Sequence, residues 1–525
     1  MDRRVVLPLA FVLSACFIYR NVQVLPVERP AAPGDSVTVA TPVKAHLFDG
    51  STVVFRHGVR VAQGMVSGEG MRYSLTLQDS AAVTGLSLDS VVGMESFRTV
   101  VDGPKTVLVS TLVTAGAFVA SIAIACAIDP KCFGSCPTYY ADSAGTLVLE
   151  AEGFSYSVAQ LFEARDVDRL RFNTAPDGVM RLEVRNEAFE THFINHLELL
   201  EVRHASDETV LPDELNRPLV VRDIVAVARA RDRLGRNVRA VLAAPDGEVY
   251  RTDAGTLGRA RVGDLEDAIE IAVPLPLPLP VTPGGDSVVV VLRLRNSLLN
   301  TILFYDIMLG DPGARSLDWI GHDLQQVGPA VELAQWYQKR MGMQVAVRDA
   351  DGFRDVAHLK DTGPVAWKDV AIVVPVLERD SVRIRLSFPA DNWRIDRVAL
   401  ATRYRRPPPV VHPLTDVQGA TGQPDTTARA SLAAADGRYL ETTAGQRFTA
   451  AFEVDSAPPA GVTRTFLLAS QGYYTEWVRR GWLVAPRASR TFVPSDTALA
   501  EAIARWRVTQ DTLEARFMAT RVPVR

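Results

Sequence analysis

Cysteine is scarce in this chain: four in 525 residues, at positions 16, 126, 132 and 136. That is too few for a disulfide scaffold. With a single close pair and no histidine near it in sequence, it also excludes a zinc ribbon or knuckle. Lysine occurs only six times, no basic block exists, and the formal net charge is -4 with an isoelectric point near 6.1. A nucleic-acid binder needs a basic excess, so that class is excluded. No Gly-x-Ser-x-Gly elbow and no phosphate-cradling Gly-x-x-x-x-Gly-Lys-Ser/Thr loop occurs, which removes the usual α/β-hydrolase and P-loop chemistries. Apolar residues are not lacking. At 47% hydrophobic and 22% charged, the chain can bury large cores and is long enough for several domains.

The first 15 residues have the parts of an export signal: Arg3 and Arg4, the apolar run from Val5 to Leu13, then small Ser14 and Ala15. The run is too short to span a bilayer, which takes about 20 residues. The word Leu13-Ser14-Ala15-Cys16 resembles the lipobox of bacterial lipoproteins. That resemblance implies cleavage between Ala15 and Cys16, diacylglycerol on the Cys16 thiol, and, with Phe17 rather than Asp after it, residence in the outer membrane. A second apolar stretch, Thr106 to Ile128, runs 23 residues without a charge and is long enough to cross a membrane. A lipidated Cys16 would already lie outside the inner membrane, and a single crossing would return the rest of the chain to the cytoplasm. The segment 104–128 is therefore expected as an apolar helix or hairpin, buried between domains or lying against lipid or a protein partner.

The rest reads as mainly β. Residues 16–42 are expected as a Pro-rich tether. Residues 43–100 read as a small barrel: Asp49-Gly50 is a hairpin signal, and Tyr73, Leu75 and Leu77 alternate with polar residues. This pattern resembles SH3-like modules. The alternation of Val382, Ile384, Leu386 and Phe388 with Arg383, Arg385 and Ser387 predicts a half-exposed strand. "DSVVVVLRLRN" predicts a strand passing from full to one-sided burial. Helices are few: one near "AVELAQWYQKRMG", and one N-capped by Ser495 with Leu499, Ile503 and Trp506 on one face. Proline runs at 273–285 and 405–413 suggest connections. The expected β-sandwich-like domains are 129–220, 221–315, 316–410 and 411–525, the last closing with the terminal helix.

Two further stretches resemble known proteins. Cys136, Pro137 and Tyr140, then Glu152, then Asn186 and Glu187, then Glu190, Thr191 and His192 are similar to words shared by a family of uncharacterised bacterial envelope proteins, over roughly residues 130–215. Residues 436–474 resemble a β-sandwich module appended to bacterial tetratricopeptide and β-propeller proteins. Neither resemblance implies a catalytic residue; both imply binding or scaffold work.

Candidate chemistry is sparse. Cys132 and Cys136 can close a small disulfide loop in an oxidising envelope. His192 and His196, with Glu187, Glu190 and His204, form the densest metal-ligating set, but "HLELLEVRH" reads as strand, where a spacing of four has no helical meaning. "GDSV" at 285–288 with Asp355 and His358 resembles words of GDSL esterases, giving a serine-hydrolase alternative with Ser287 as nucleophile, His358 as base and Asp355 orienting it. GDSV also occurs at 34–37, however, and both words read as turns before strands. Trp393, Tyr473, Tyr474, Trp477 and Trp482 give a carbohydrate-binding alternative. The expectation is a lipid-anchored envelope protein, without cofactor or nucleic acid, working as a non-catalytic binding or assembly module on an envelope protein or glycan.

Overall fold

The computed structural model describes residues 20–26, 35–41, 43–47, 51–73, 80–101, 136–143, 145–158, 160–172, 177–188, 190–274, 287–303, 327–378, 381–443, 445–455, 461–476, 494–519 and 524. Ala15, Cys16, Cys132, Trp477, Trp482 and the segment 104–128 lie outside them. The protein is mainly β, as the alternating sequence predicts, and none of the described helices is long and apolar enough to cross a membrane. The chain divides into two compact units.

The smaller unit is one barrel-like sheet of eight strands: β1 (Arg20–Pro26), β2 (Ser36–Val39), β3 (Val43–Leu47), β4 (Thr52–Phe55), β5 (Val59–Ala62), β6 (Met65–Tyr73), β7 (Ser80–Ser87) and β8 (Val91–Val101). Val43, Ala45, Val53, Phe55, Val61 and Val66 fill its core. The expected tether is partly strand. β1 runs antiparallel to β8, and β2 pairs with β5, because Asn21 to Leu25 and Ser36 to Val39 alternate polar and apolar residues and can extend a sheet despite the prolines between them.

Among the described residues, the larger unit holds nineteen strands: β9 (Thr138–Ser143), β10 (Thr146–Glu152), β11 (Ala164–Arg169), β12 (Val179–Arg185), β13 (Glu190–His204), β14 (Thr209–Pro212), β15 (Pro218–Ala226), β16 (Arg229–Asp232), β17 (Glu266–Pro274), β18 (Ser287–Asn296), β19 (Met343–Arg348), β20 (Phe353–Leu359), β21 (Lys368–Pro375), β22 (Ser381–Pro389), β23 (Trp393–Arg405), β24 (Val410–Gly419), β25 (Leu440–Thr442), β26 (Arg447–Glu453) and β27 (Thr463–Glu476). They do not follow the expected domain boundaries. β9–β13 share a nine-stranded assembly with β24–β27, in the order β10-β9-β12-β26-β24-β13-β27-β11 with β25 on β13. Between them sits a second sandwich of two sheets, β14-β15-β23-β18-β21 and β16-β17-β22-β19-β20. β9–β13 therefore complete β24–β27, and β14–β18 complete β19–β23. Alternation fixes a strand's buried face but not its partner, and this is where the boundaries failed.

Burial explains the strand sequences. Val288, Val290, Leu292 and Leu294 enter the core between the two sheets of the second sandwich. Val289 and Val291 enter a separate core on the other face, so the continuous run in β18 is covered on both sides. A third cluster joins Val167, Leu200, Val202, Leu467 and Ala469 to Val210 and Val220, packing the first sandwich onto the second. The terminal helix, Asp496–Ala519, starts as expected, with Ser495 Oγ accepting from the Ala498 amide at 3.2 Å. It docks on the second sandwich and not on the C-terminal strands: Trp506 Nε1 donates to Asp391 Oδ2 at 2.7 Å, and buried Arg394 bridges Asp391 and Glu514 at 2.7 and 2.9 Å.

Candidate functional site

A cleft of about 490 Å³ opens in the larger unit, lined from both sandwiches. The loop after β10 contributes Ser155, Tyr156, Val158 and Phe162; beside it, the end of β20 contributes His358 and the loop that follows contributes Lys360 and Asp361. Asn296 at the end of β18 and Thr301 beyond it, together with Leu333, Ala334 and Tyr337 on the helix Val327–Arg340, complete it.

Asp361 organises one side. Its Oδ1 accepts from Asn296 Nδ2 at 2.6 Å and Asn392 Nδ2 at 2.9 Å. Its Oδ2 accepts from Asn300 Nδ2 at 2.7 Å and from the Tyr337 hydroxyl. Burial and this carboxylate push the Tyr337 phenol well above its ordinary range, so it stays a donor. Asn296 Oδ1 in turn accepts the Thr362 and Gly363 amides at 2.6 and 3.1 Å, which ties the end of β18 to the loop after β20.

Glu152 closes the other side. From the end of β10, Oε2 accepts the Val365 and Ala366 amides at 2.7 and 2.9 Å. Gly363 lets it approach: its φ is +95°, and a Cβ there would lie 2.6 Å from the Glu152 carboxyl carbon and against Ser155 Oγ. Glu163 accepts from Asn195, Gln471 and the Tyr439 hydroxyl at 2.7, 2.9 and 2.6 Å. Three carboxylates thus hold the walls through neutral donors. Lys360 lays its ammonium 4.9 Å from the centre of the Tyr156 ring.

Cys136 lines the cleft as a free, buried thiol; its expected disulfide partner, Cys132, is not among the described residues. Burial, then Glu190 and Glu152, push the thiol well above its ordinary value. It is protonated at neutral pH, unlike an activated nucleophile. Other residues singled out in the same stretch pack nearby as latches. Glu187 Oε2 accepts the Thr138 and Tyr140 hydroxyls at 2.9 and 2.6 Å. Asn186 Nδ2 donates to the carbonyls of Glu190 and Thr442, both at 2.9 Å. His192 Nε2 and Glu190 Oε1 form a buried pair at 2.6 Å.

The structure disperses the other candidates. β13 is a strand with an irregularity between Ile194 and His196. Ile194, Leu197 and Leu199 share one core, so His192 faces with them and His196 faces the other way. His204 is held elsewhere, between Thr465 Oγ1 and the Ala205 carbonyl at 2.9 and 2.8 Å. No group of three metal-ligating side chains exists among the described residues. Ser287 starts β18 and shares a hydrogen bond with the Tyr404 hydroxyl at 2.9 Å. Asn296, at the far end of that strand, lies about 30 Å away at ~3.3 Å per residue. His358 is at the Asn296 end, donating Nε2 to the Met341 carbonyl at 2.9 Å, while Asp355 is exposed on β20. A Ser287–His358–Asp355 triad is therefore not assembled. Trp393, Tyr473 and Tyr474 are 0%, 2% and 5% exposed, so no platform for sugar stacking exists in these three rings. A second depression of about 650 Å³ around Arg231, Asp264 and Arg385 is lined by charges paired among themselves, such as Arg233 with Asp264 and Arg385 with Glu270.

No family model matches the chain, and no curated protein does. Among solved structures, alignments reach the infectious bursal disease virus Gt strain, at 10% identity over 87% of this chain and 81% of that one, TM-score 0.11. They also reach tripeptidyl peptidase 2, at 9% identity over 83% of this chain and 24% of that one, TM-score 0.12. Likenesses this small carry no argument about fold or function.

Proposed function

We propose that this is a lipid-anchored protein of the bacterial envelope, held by Cys16, probing its surroundings through a binding cleft in its larger unit and not through catalysis. The cleft carries the reading. Its volume lies within the usual range of small-molecule sites, and it has the usual make-up of apolar and aromatic walls with a few fixed polar groups. Those polar groups are pinned: Asp361 by four neutral donors, Glu152 by two amides. A pinned, preorganised wall suits recognition, whereas a general base must be free to exchange its proton with substrate. The ligand class is a small, largely apolar molecule with hydrogen-bonding groups. The lipobox-like Leu13-Ser14-Ala15-Cys16 supports the anchor, and Phe17 supports the outer membrane.

The test is titration of the purified protein with N-phenyl-1-naphthylamine, whose fluorescence rises in apolar sites, beside Ala334→Trp, which places a large ring in the cleft from an exposed helix position. Saturable enhancement in wild type, lost in the variant, supports the reading. Enhancement that is absent or equal in both proteins overturns it.

A further inference from the structure

We infer that residues 136–303 and 341–476 are two copies of one β module that have exchanged their second halves, so that the larger unit is a fused two-fold dimer and the cleft is the seam where equivalent positions of the copies meet. The strand orders coincide. Substituting β19, β20, β22, β17 and β16 for β9, β10, β12, β26 and β24 converts the path β10-β9-β12-β26-β24 into β20-β19-β22-β17-β16. Likewise β24-β13-β27-β11 becomes β15-β23-β18-β21. In both sandwiches, strands from the first half of one copy pair with strands from the second half of the other.

Irregularities match as well as order. The extra residue Glu150 in β10 lies between the partners of Tyr139 and Tyr140, which pair onward with Val184 and Glu183. The extra residue Val356 in β20 lies between the partners of Val345 and Ala346, which pair onward with Leu386 and Arg385. Asn195 is the extra residue where β13 meets β27, and Asp396 is the extra residue where β23 meets β18. Asn195 Oδ1 accepts the Asp436 amide and Asp396 Oδ1 accepts the Gly247 amide, each at 3.3 Å. β-Bulges are specific features of a fold, and coincidence at two sites with the same tertiary role is unexpected of unrelated sandwiches. The two anchored loops share a word, Arg-Ala-x-Leu-Ala-Ala-x-Asp-Gly-x-x-x-x-Thr-x-Ala-Gly, at 239–255 and 429–445, with ten of 17 positions identical. Within it, Tyr250 bridges Ile395 as Leu440 pairs with Ile194.

The same correspondence runs into the cleft. The Tyr474 amide donates to the Ser157 carbonyl as the Asn296 amide donates to the Gly363 carbonyl, both at 2.9 Å. The pairs Glu152 and His358, Ser155 and Asp361, and Tyr474 and Asn296 all line it. β11 and β21, equivalent in the two copies, also face one another: Lys368 binds Asp166 and Asp168, and Arg169 lies 3.5 Å from Asp369. Equivalent elements meeting each other is what an isologous, two-fold contact produces.

The experiment uses the full chain with residues 429–445 replaced by the Arg239–Gly255 sequence, beside a shuffled version of that insert. Equivalence predicts that the transplant unfolds cooperatively within a few degrees of wild type, whereas the shuffled insert loses much more. A transplant no better than the shuffled control overturns the duplication. The exchange is tested separately by a protease site placed in 304–326 of the full chain. After complete cleavage, the fragments are expected to co-elute as one particle in native buffer and to part only in denaturant; separation in native buffer overturns the exchange. Neither result depends on what the cleft binds.

Discussion

Replacing Asp168 by asparagine should stabilise the larger unit at alkaline pH much more than at acid pH. Asp168 and Asp166 on β11 share one cation, Lys368 on β21, with Asp168 at 3.1 Å, and all three side chains are buried. Burial alone would lower the lysine, but the two carboxylates outweigh it and hold the ammonium above its ordinary value. One ammonium cannot balance two carboxylates. Burial, partly opposed by Lys368 and reinforced by Asp166, lifts the Asp168 carboxyl from 3.8 to about 7. An acid whose value is raised on folding takes up protons as the chain folds. Its contribution is therefore fully present at low pH and is lost as pH rises through about 7. Integrating that linkage gives a loss of about 3 kcal/mol between about pH 4.5 and about pH 8. Asparagine cannot ionise, and its carbonyl still accepts from Lys368. Urea unfolding of wild type and Asp168→Asn at the two pH values reads Asp168 together with the Lys368 and Asp166 charges that interact with it, while titrations elsewhere in the protein cancel in the difference. A stability difference between the proteins that is the same at both pH values would refute the reasoning.

Gly363→Ala should destabilise by about 1–3 kcal/mol from its left-handed backbone alone, with more from displacing Glu152 and Ser155; thermal melts and the exchange rates of the Val365 and Ala366 amides check it. Trp506→Ala should cost about 3–5 kcal/mol, since the indole is fully buried and its N–H is paired with Asp391; a loss below 1 kcal/mol would show that the terminal helix is not docked as described. The Cys136 thiol, buried and raised, should resist iodoacetamide at neutral pH in the native protein and react in urea, as followed by mass spectrometry of its peptide; rapid native labelling contradicts its placement.

The local structure was legible because it follows from single-strand patterns. Val382, Ile384, Leu386 and Phe388 are buried in β22 as their alternation requires, and Leu499, Ile503 and Trp506 line one buried face after the Ser495 cap. Ser36 and Ser287 both open strands, so each GDSV word leads into a strand. Partner choice was not legible. Nothing in the apolar pattern of β13 says that it pairs with β27, more than 250 residues later, or that the Pro-rich 405–413 stretch carries the chain back to a sheet already begun. The cleft was hidden for the same reason, since Glu152, Asn296 and Asp361 meet only after the halves interleave. One signal was available in the sequence: the repeated word at 239–255 and 429–445, which a reading of strand periodicity passes over because it falls in loops. Exposed-aromatic reasoning failed because Trp393 and Tyr473 are buried and Tyr474, also buried, lies at the cleft with its hydroxyl on the Ser155 carbonyl.

The most direct test of the binding cleft is native mass spectrometry of the full-length protein extracted in mild detergent from the bacterial envelope, comparing wild type with Ala334→Trp. A small-molecule mass retained by wild type and absent from the variant is the expected result. Wild type flying bare, or both proteins carrying the same adduct, would contradict it.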